Sequence, residues 1–261
     1  MKSPFIVLPF FRIGHAPIIY SLTVLFLLPS TDTGKAISEE VTNSSSHWAF
    51  SPIKNPPPPK SQQNDWGETT IDRFILRKIK DAKLNPSQEA IRKTLIRRIY
   101  FDLLGHPPKY SDTESFINNS DPNAYVSLVD NLLSSPKFGE KWARHWLDIA
   151  RYADTKGYVF QESREYPYAY AYRDWVINSL NQDLPYNQFI VYQLAADKII
   201  KNNGNKKNLA AMGFLTVGRR FLNRNPDIID DRIDVTFRGL MGLTVACSRC
   251  HDHKYDPIPI S

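Results

Sequence analysis

The stretch SQEAIRKTLIRRIYFDLLG, residues 87–105, decides the fold class of this 261-residue chain. Its aliphatic residues Ile91, Leu95, Ile99 and Leu103 recur at every fourth position, which places them on one face of an α-helix rather than on one face of a strand. Ser87 can cap the beginning of this helix. A glycine at 105 followed by a proline at 107 is typical of a helix end. The stretch therefore predicts an amphipathic helix.

The same spacing extends in both directions along the chain. Upstream, Thr70 can cap a helix whose apolar stripe consists of Ile71, Phe74, Ile75 and Ile79. Downstream, a capping box at 111–114 and the prolines that follow Asp121 and Ser135 predict three helix beginnings. Further helices are predicted near 170–180, near 185–196 and from about 227, the last with an apolar face made of Ile229, Ile233, Phe237 and Leu240. Strand-like alternation is weak, so we predict a mainly α fold in which residues 66–261 form a single multi-helix domain.

The N-terminal residues predict export. Lys2, Arg12 and His15 precede an apolar run at 18–28, which is too short to span a bilayer because a spanning helix needs about 20 apolar residues. Small residues at 34 and 36 suit signal cleavage after Ala36. Residues 4–11 are also apolar, so residues 1–36 form either a signal peptide or an uncleaved anchor that tethers the protein to a membrane; a buried segment is the alternative. Residues 37–65 are a linker rich in Ser, Asn, Gln and Pro. We therefore expect a periplasmic, extracellular or membrane-tethered protein.

Composition and charge exclude several protein classes and select no function. The chain is 42% hydrophobic and 23% charged, which is ordinary for a globular protein, and its two cysteines exclude a disulfide-rich scaffold. The net charge is +6, and many of the basic residues lie on the first two predicted helices. No nucleic acid is expected as a partner, because no docking motif and no interleaved stacking aromatics accompany these charges. They predict a solvated helix face.

The strongest chemical signal is the CxxCH sequence of Cys247, Cys250 and His251. This is the attachment signature of c-type haem, in which each thiol bonds a vinyl group and the histidine ligates the iron. A disulfide, a reduced thiol pair or a non-haem metal site would explain the CxxC part equally well. Export favours haem because c-type attachment takes place outside the bacterial cytoplasm.

Other residues could complete a site. His145 is the candidate second iron ligand, with Asp148 near enough along its helix to orient a ring nitrogen; the alternative is a packed histidine between two tryptophans. In a non-haem site, a divalent ion would be held by His251, His253 and Asp256, together with Asp148 or His145. Three further residues are weaker candidates. Asp230 and Asp234 lie one helical turn apart and could bind a cation, although ion pairs with nearby arginines are the plainer interpretation. The third is Met241, an axial ligand only if it reaches the iron.

At these residues the sequence resembles a known family. The stretches WARHWLDIARYADT, YAYRDWVINSLNQDLPYNQFI and DIIDDRIDVTFRGLMGLTVACSRCHDHKYDPIP, with IDRFILRKI and FDLLGHPP before them, are similar to the planctomycete cytochrome-c-like domain of unknown function. The resemblance covers the chain from about residue 48 to its end. It implies a cytochrome-like role at Cys247, Cys250 and His251 but no established reaction.

Two more expectations follow from this resemblance. Family members usually continue past the CxxCH motif, so a chain that stops at Ser261 is expected to be a truncated member. Some members also carry a separate cytochrome domain or carbohydrate-binding-like modules. If the site holds haem, the expected role is electron transfer with a redox partner, or a redox enzyme with an open iron position. If it holds a non-haem metal, the module company implies hydrolysis of exported polysaccharide or sulfated substrates. A structural or binding module that uses the CxxC as a staple is the remaining alternative.

Overall fold

Helices account for the regular structure of the described part of the chain. A computed structural model describes residues 48–60, 66, 69–155, 165–200, 205–219 and 223–260, all within one compact unit at 44–261. These residues form no sheet, only an isolated antiparallel bridge between Thr155 and Glu165. The prediction of a mainly α fold is confirmed. Within the described residues no helix combines the length and apolarity needed to cross a bilayer. The predicted signal peptide or anchor lies outside them.

The described part of the chain contains nine α-helices. We number them in chain order as α1 Thr70–Asp81, α2 Arg92–Leu104, α3 Tyr110–Asn118, α4 Ala124–Leu133, α5 Pro136–Ile149, α6 Ala169–Asn181, α7 Tyr186–Ile199, α8 Gly213–Thr216 and α9 Asn225–Met241. Short 3-10 helices occur at Trp48–Phe50, Lys206–Met212 and Val245–Arg249.

Two clusters of buried side chains hold these helices together. The smaller joins α2, α3 and α4 around Ile96, which is fully buried. The larger joins α5 to α9 and is rich in aromatic rings. In it, Trp146 stacks on Phe214 with ring centroids 5.8 Å apart and meets Phe189 edge to face at 4.9 Å. Aromatic rings bury large apolar areas, so this second cluster supplies most of the core that supports α9.

A polar network crosses the larger cluster. The Trp146 Nε1–H donates to the Gln193 Oε1 at 2.7 Å and to the Tyr172 hydroxyl at 3.1 Å. The Tyr172 hydroxyl in turn donates to the same Gln193 oxygen at 2.8 Å. Burial raises the pKa of Tyr172. Because each of these buried polar groups has a partner, the network contributes specificity without an unsatisfied group.

A partly buried ion pair attaches α9 to the end of α5. Arg151 has a left-handed backbone with φ of 50°, and its Nε donates to the Asp231 carboxylate at 2.8 Å. Its Nη1 also donates to the carbonyl oxygens of Ala150 and Phe214, each at 3.1 Å. A Cβ added at Gly218 would lie 2.5 Å from the Arg151 guanidinium. Only glycine therefore leaves room for this arrangement.

Some predicted helix ends are confirmed. Gly105 ends α2 in the left-handed conformation with φ of 76°. Ser135 caps α5, its side chain accepting from the Lys137 amide, and proline is the first helical residue. The helices predicted at 170–180 and 185–196 correspond to α6 and α7.

Other predicted beginnings are wrong by one to several residues. Thr69, not Thr70, caps α1, and Asp72 completes a capping box with it. Ser87 does not begin α2, which starts at Arg92. The predicted box at 111–114 lies inside α3, which begins at Tyr110. Asp121 accepts from the Asn123 amide at 2.8 Å, and α4 begins only after this turn.

The apolar stripes predicted for α1 and α9 are only partly buried. On α1 the buried residue is Leu76, whereas Ile71 is 69% exposed and Ile75 43% exposed. On α9 the buried residues are Ile228 and Val235, and the predicted Ile229 and Ile233 are exposed instead. On α9 the core contacts only part of the predicted stripe, because Leu240 packs against the larger cluster.

Candidate functional site

The CxxCH sequence lies in a tight turn just after α9. The helix ends at Gly242, whose φ is 71°, and the 3-10 helix Val245–Arg249 follows. Cys247 and Cys250 are both exposed and carry free thiols. The Cys250 amide donates to the Cys247 carbonyl oxygen at 3.4 Å, so one turn of backbone joins the two cysteines. Both sulfurs are therefore available from solvent on a short, folded segment.

Arg249 anchors this turn to α9. Its guanidinium donates to the Asp227 carboxylate at 3.2 Å and also contacts Asp230. The hydrogen bond to Asp227 and the charge of Asp230 raise the pKa of Arg249. Ion pairing is thus the role of Asp230, and Asp234 pairs with Arg238 at 3.0 Å. The arginine's role could not be read from the sequence, because it lies 22 positions from Asp227.

His251 is exposed and presents one free ring nitrogen. Its Nδ1 lies 2.7 Å from the carbonyl oxygen of Asp252. A carbonyl oxygen can only accept a hydrogen bond, so Nδ1 carries the proton and Nε2 carries the lone pair. Histidines that ligate metals commonly donate their other ring N–H to such a carbonyl, which fixes the tautomer. The His251 Nε2 is therefore in the form that an iron or another metal ion requires.

His253, two residues later, has the opposite tautomer. It is buried, and its Nδ1 accepts from the amides of Tyr255 at 3.2 Å and Asp256 at 2.7 Å. Because Nδ1 accepts, the proton is on Nε2, which lies 3.0 Å from the Thr244 hydroxyl oxygen and donates to it. The backbone N–H of His253 also donates to the Ile258 carbonyl oxygen at 2.9 Å. Both ring nitrogens are used in closing the loop onto the turn.

The residues predicted to bind a metal are not all brought together. His253 Nδ1 lies 3.5 Å from the Asp256 carboxylate. In the described part of the chain, however, no group of three or more His, Cys, Asp or Glu side chains is placed to hold a metal ion. The metal set of His251, His253, Asp256 and Asp148 stays a prediction.

The candidate second iron ligand lies on α5. His145 is exposed, and its ring packs beside that of Trp142 with centroids 5.5 Å apart. Asp148, one turn later, is exposed as well. Met241 is 61% exposed near the end of α9. Roles for these side chains at the CxxCH turn stay predictions.

Comparison with known proteins supplies a family and no function. A family model described as PSCyt2, protein of unknown function (DUF1549), matches residues 70–261. Neither the curated proteins nor the solved structures include a match to this chain. The matched region contains every described α-helix and the CxxCH turn. The chain therefore belongs to the PSCyt2 family, a planctomycete cytochrome-C family whose function is unknown.

Proposed function

We propose that the CxxCH turn attaches c-type haem and that the protein is an exported electron-transfer or redox protein. The observation that carries the proposal is the 2.7 Å contact between His251 Nδ1 and the Asp252 carbonyl oxygen, which leaves Nε2 as the ring nitrogen available to a ligand bond. Haem would supply a one-electron redox centre at this turn.

The two thiols fit covalent attachment. Cys247 and Cys250 are free and exposed, and the backbone between them makes a single turn. In attachment, each S–H adds across a vinyl C=C bond, so that one S–C bond and one C–H bond form and no atom is lost. This addition needs the thiols reduced, and no disulfide joins Cys247 to Cys250 in this structure. A disulfide between them would block it, and for that reason the redox state of the pair distinguishes a haem site from a structural staple.

The loop that follows the motif orients the histidine. Asp252, whose carbonyl oxygen fixes the His251 tautomer, accepts from the Ile260 amide through its side chain at 2.9 Å. The Ser248 hydroxyl donates to the Ile258 carbonyl oxygen at 3.1 Å. The segment after the motif thus folds back on the turn and holds it in one conformation. Such preorganised support is what a ligating side chain requires.

The test is the visible spectrum of the chain exported by a host that matures c-type cytochromes. The expected result is a haem band that persists after denaturation in alkaline pyridine, because thioether bonds survive unfolding. Cys247→Ser combined with Cys250→Ser should abolish it. His251→Ala should change the native spectrum while attachment persists in part, and His106→Ala, remote from the turn, should change neither.

Three outcomes would count against haem or against a ligand. Absence of a covalent band would reject haem, and metal analysis with thiol titration would then separate a metal site from a disulfide. A native spectrum unchanged in His251→Ala would remove this residue from the iron. A native spectrum unchanged in His145→Ala would remove His145 as the second ligand.

A further inference from the structure

Helix α1 presents its apolar face to solvent. Ile71 and Ile75, one turn apart, are 69% and 43% exposed, and Phe74 and Ile79 beside them are only half-buried. The buried residue of the helix, Leu76, lies on a different face. It lines a cleft shared with Pro59 of the linker. The side of α1 that the domain covers is therefore not its most apolar side.

The helix that carries this exposed face is basic, with Arg73 and Lys80 on its polar side beside Leu76. Residues 70–83 contain five basic and two acidic side chains. Lys78 lies three positions after Ile75 and seven after Ile71, so it lies on the same face as both. The Arg77 guanidinium lies 5.6 Å from the centre of the Phe74 ring at the edge of the face. Helices that combine an apolar face with lysine and arginine in this way lie in the interface of anionic membranes.

The position of Lys78 discriminates between a membrane and a protein partner. A protein that covered Ile71 and Ile75 would have to bury the Lys78 ammonium, which is costly without a paired charge. A second copy pairing symmetrically through this face would bury two Lys78 ammonium groups, one from each protomer. At a bilayer surface, by contrast, a lysine stem lies along the apolar layer while its charge reaches the phosphates.

We propose that α1 is an interfacial helix that docks the domain on an anionic lipid surface, with Ile71 and Ile75 inserted and Lys78 bound to headgroup phosphates. This inference goes beyond the proposed haem site and does not depend on it. The attraction falls with added salt, because headgroup charges are screened within a Debye length.

Amide hydrogen exchange of the full chain tests the proposal. The chain is reconstituted with vesicles of phosphatidylcholine alone or of phosphatidylcholine mixed with phosphatidylglycerol, so that any anchoring by the N-terminal segment is present in both. We expect exchange in α1 to slow at least tenfold on the anionic vesicles only. Ile71→Ser combined with Ile75→Ser should remove this slowing, and Lys78→Gln should weaken it about fivefold, since each cation near the surface contributes on this scale.

Helix α9 offers a matched control. Ile229 and Ile233 are a second pair of isoleucines one turn apart, 53% and 44% exposed, and acidic residues, Asp230 and Asp234, follow them directly. Replacing both isoleucines with serine should leave the lipid effect on α1 intact.

Equal slowing of amide exchange in α1 on the two kinds of vesicle, or no slowing on either, would overturn the proposal. Protection of α1 that rises with protein concentration in the absence of lipid would overturn it in favour of a second copy.

Discussion

Replacing His253 with alanine should open the loop after the CxxCH turn and leave the helical core intact. The substitution removes the Nδ1 acceptor of the Tyr255 and Asp256 amides and the donor to Thr244. Each intramolecular hydrogen bond contributes about 0.5–1.5 kcal/mol. Water can replace part of the loss, because these bonds are only partly buried. We therefore expect the loop to lose roughly 2 kcal/mol, at the lower end of the summed range.

Amide hydrogen exchange measures this loss directly. A local destabilisation of roughly 2 kcal/mol corresponds to exchange about 30-fold faster. The relevant probes are the amides of His253 and Ile258, whose acceptors lie within the loop at 2.9 and 2.7 Å. Amides in α5 to α7 should exchange as before, because the loop's hydrogen bonds are made within residues 244–260.

His251→Ala is the matched control for this prediction. The ring of His251 is exposed, and it donates only to its neighbour's carbonyl oxygen in the described structure. Its removal should change loop exchange less than threefold. The reasoning is refuted if His253→Ala leaves loop exchange unchanged, or if His251→Ala accelerates it as much. Either result would mean that His253 is not the histidine that holds the loop while His251 is left for ligation.

Three further predictions concern the fold that carries the turn. Gly218→Ala should lower the free energy of unfolding in urea by about 2–3 kcal/mol, because its Cβ would displace Arg151 from a partly buried ion pair. Gly242→Ala, with open space but positive φ, should cost only about 1 kcal/mol. Equal losses would contradict this. Tyr172→Phe should cost about 1 kcal/mol, since it removes the buried hydrogen bond from the Tyr172 hydroxyl to Gln193 while the bond from Trp146 to Gln193 remains, and a neutral result would show that this hydroxyl is dispensable. Burial, with a hydrogen bond to a carboxylate, raises the pKa of Tyr100 from 10.0 to about 12; the neutral phenol thus stabilises the fold below pH 10, and this contribution declines as the pH rises toward 12. Between pH 10 and 12 the free energy of unfolding in urea should decline less steeply in Tyr100→Phe than in the unmodified protein. An identical decline in the two proteins would contradict the raised pKa of Tyr100.

The helices were largely predictable because their end signals act over a single turn. No neighbouring residue competes with Gly105 for the end of α2 or with Ser135 for the beginning of α5, and both predicted ends are confirmed. Helix beginnings were predicted wrongly where two neighbouring residues can both cap the helix. Thr69 and Thr70 have the same side chain, and only the backbone decides which one accepts from the Asp72 amide. Asp121 instead closes the turn before α4.

The exposed faces of α1 and α9 were not predictable in the same way. Spacing identifies an apolar stripe, and the usual inference is that the core covers it. Burial depends instead on which other element reaches the helix, and that contact is not local in sequence. On α1 Leu76 lines a cleft together with Pro59 of the proline-rich linker. Ile71 and Ile75 are left exposed by the same fold.

In the candidate site, too, the features set by neighbouring residues could be predicted from the sequence, and those set by the folded loop could not. The CxxCH spacing identifies Cys247, Cys250 and His251 from the sequence alone, since the chemistry of attachment lies within five residues. The sequence cannot say which of two histidines carries a free lone pair, because the tautomer depends on whether a carbonyl oxygen or two amide N–H groups face Nδ1. Here a carbonyl faces His251 and two amides face His253.

The carboxylates of α9 join the core to the candidate site. Asp231 binds Arg151 at the end of α5, and Asp227 binds Arg249 between the two cysteines. A displacement of α9 would therefore move the thiols relative to the core, and neither ion pair could adjust without breaking. A redox centre benefits from such a fixed support, because a rigid ligand geometry changes little between oxidation states. If haem is attached here, Asp227→Asn should broaden or shift its native spectrum while the thioether bonds form as before. A spectrum identical to that of the unmodified protein would show that the turn holds its geometry without α9.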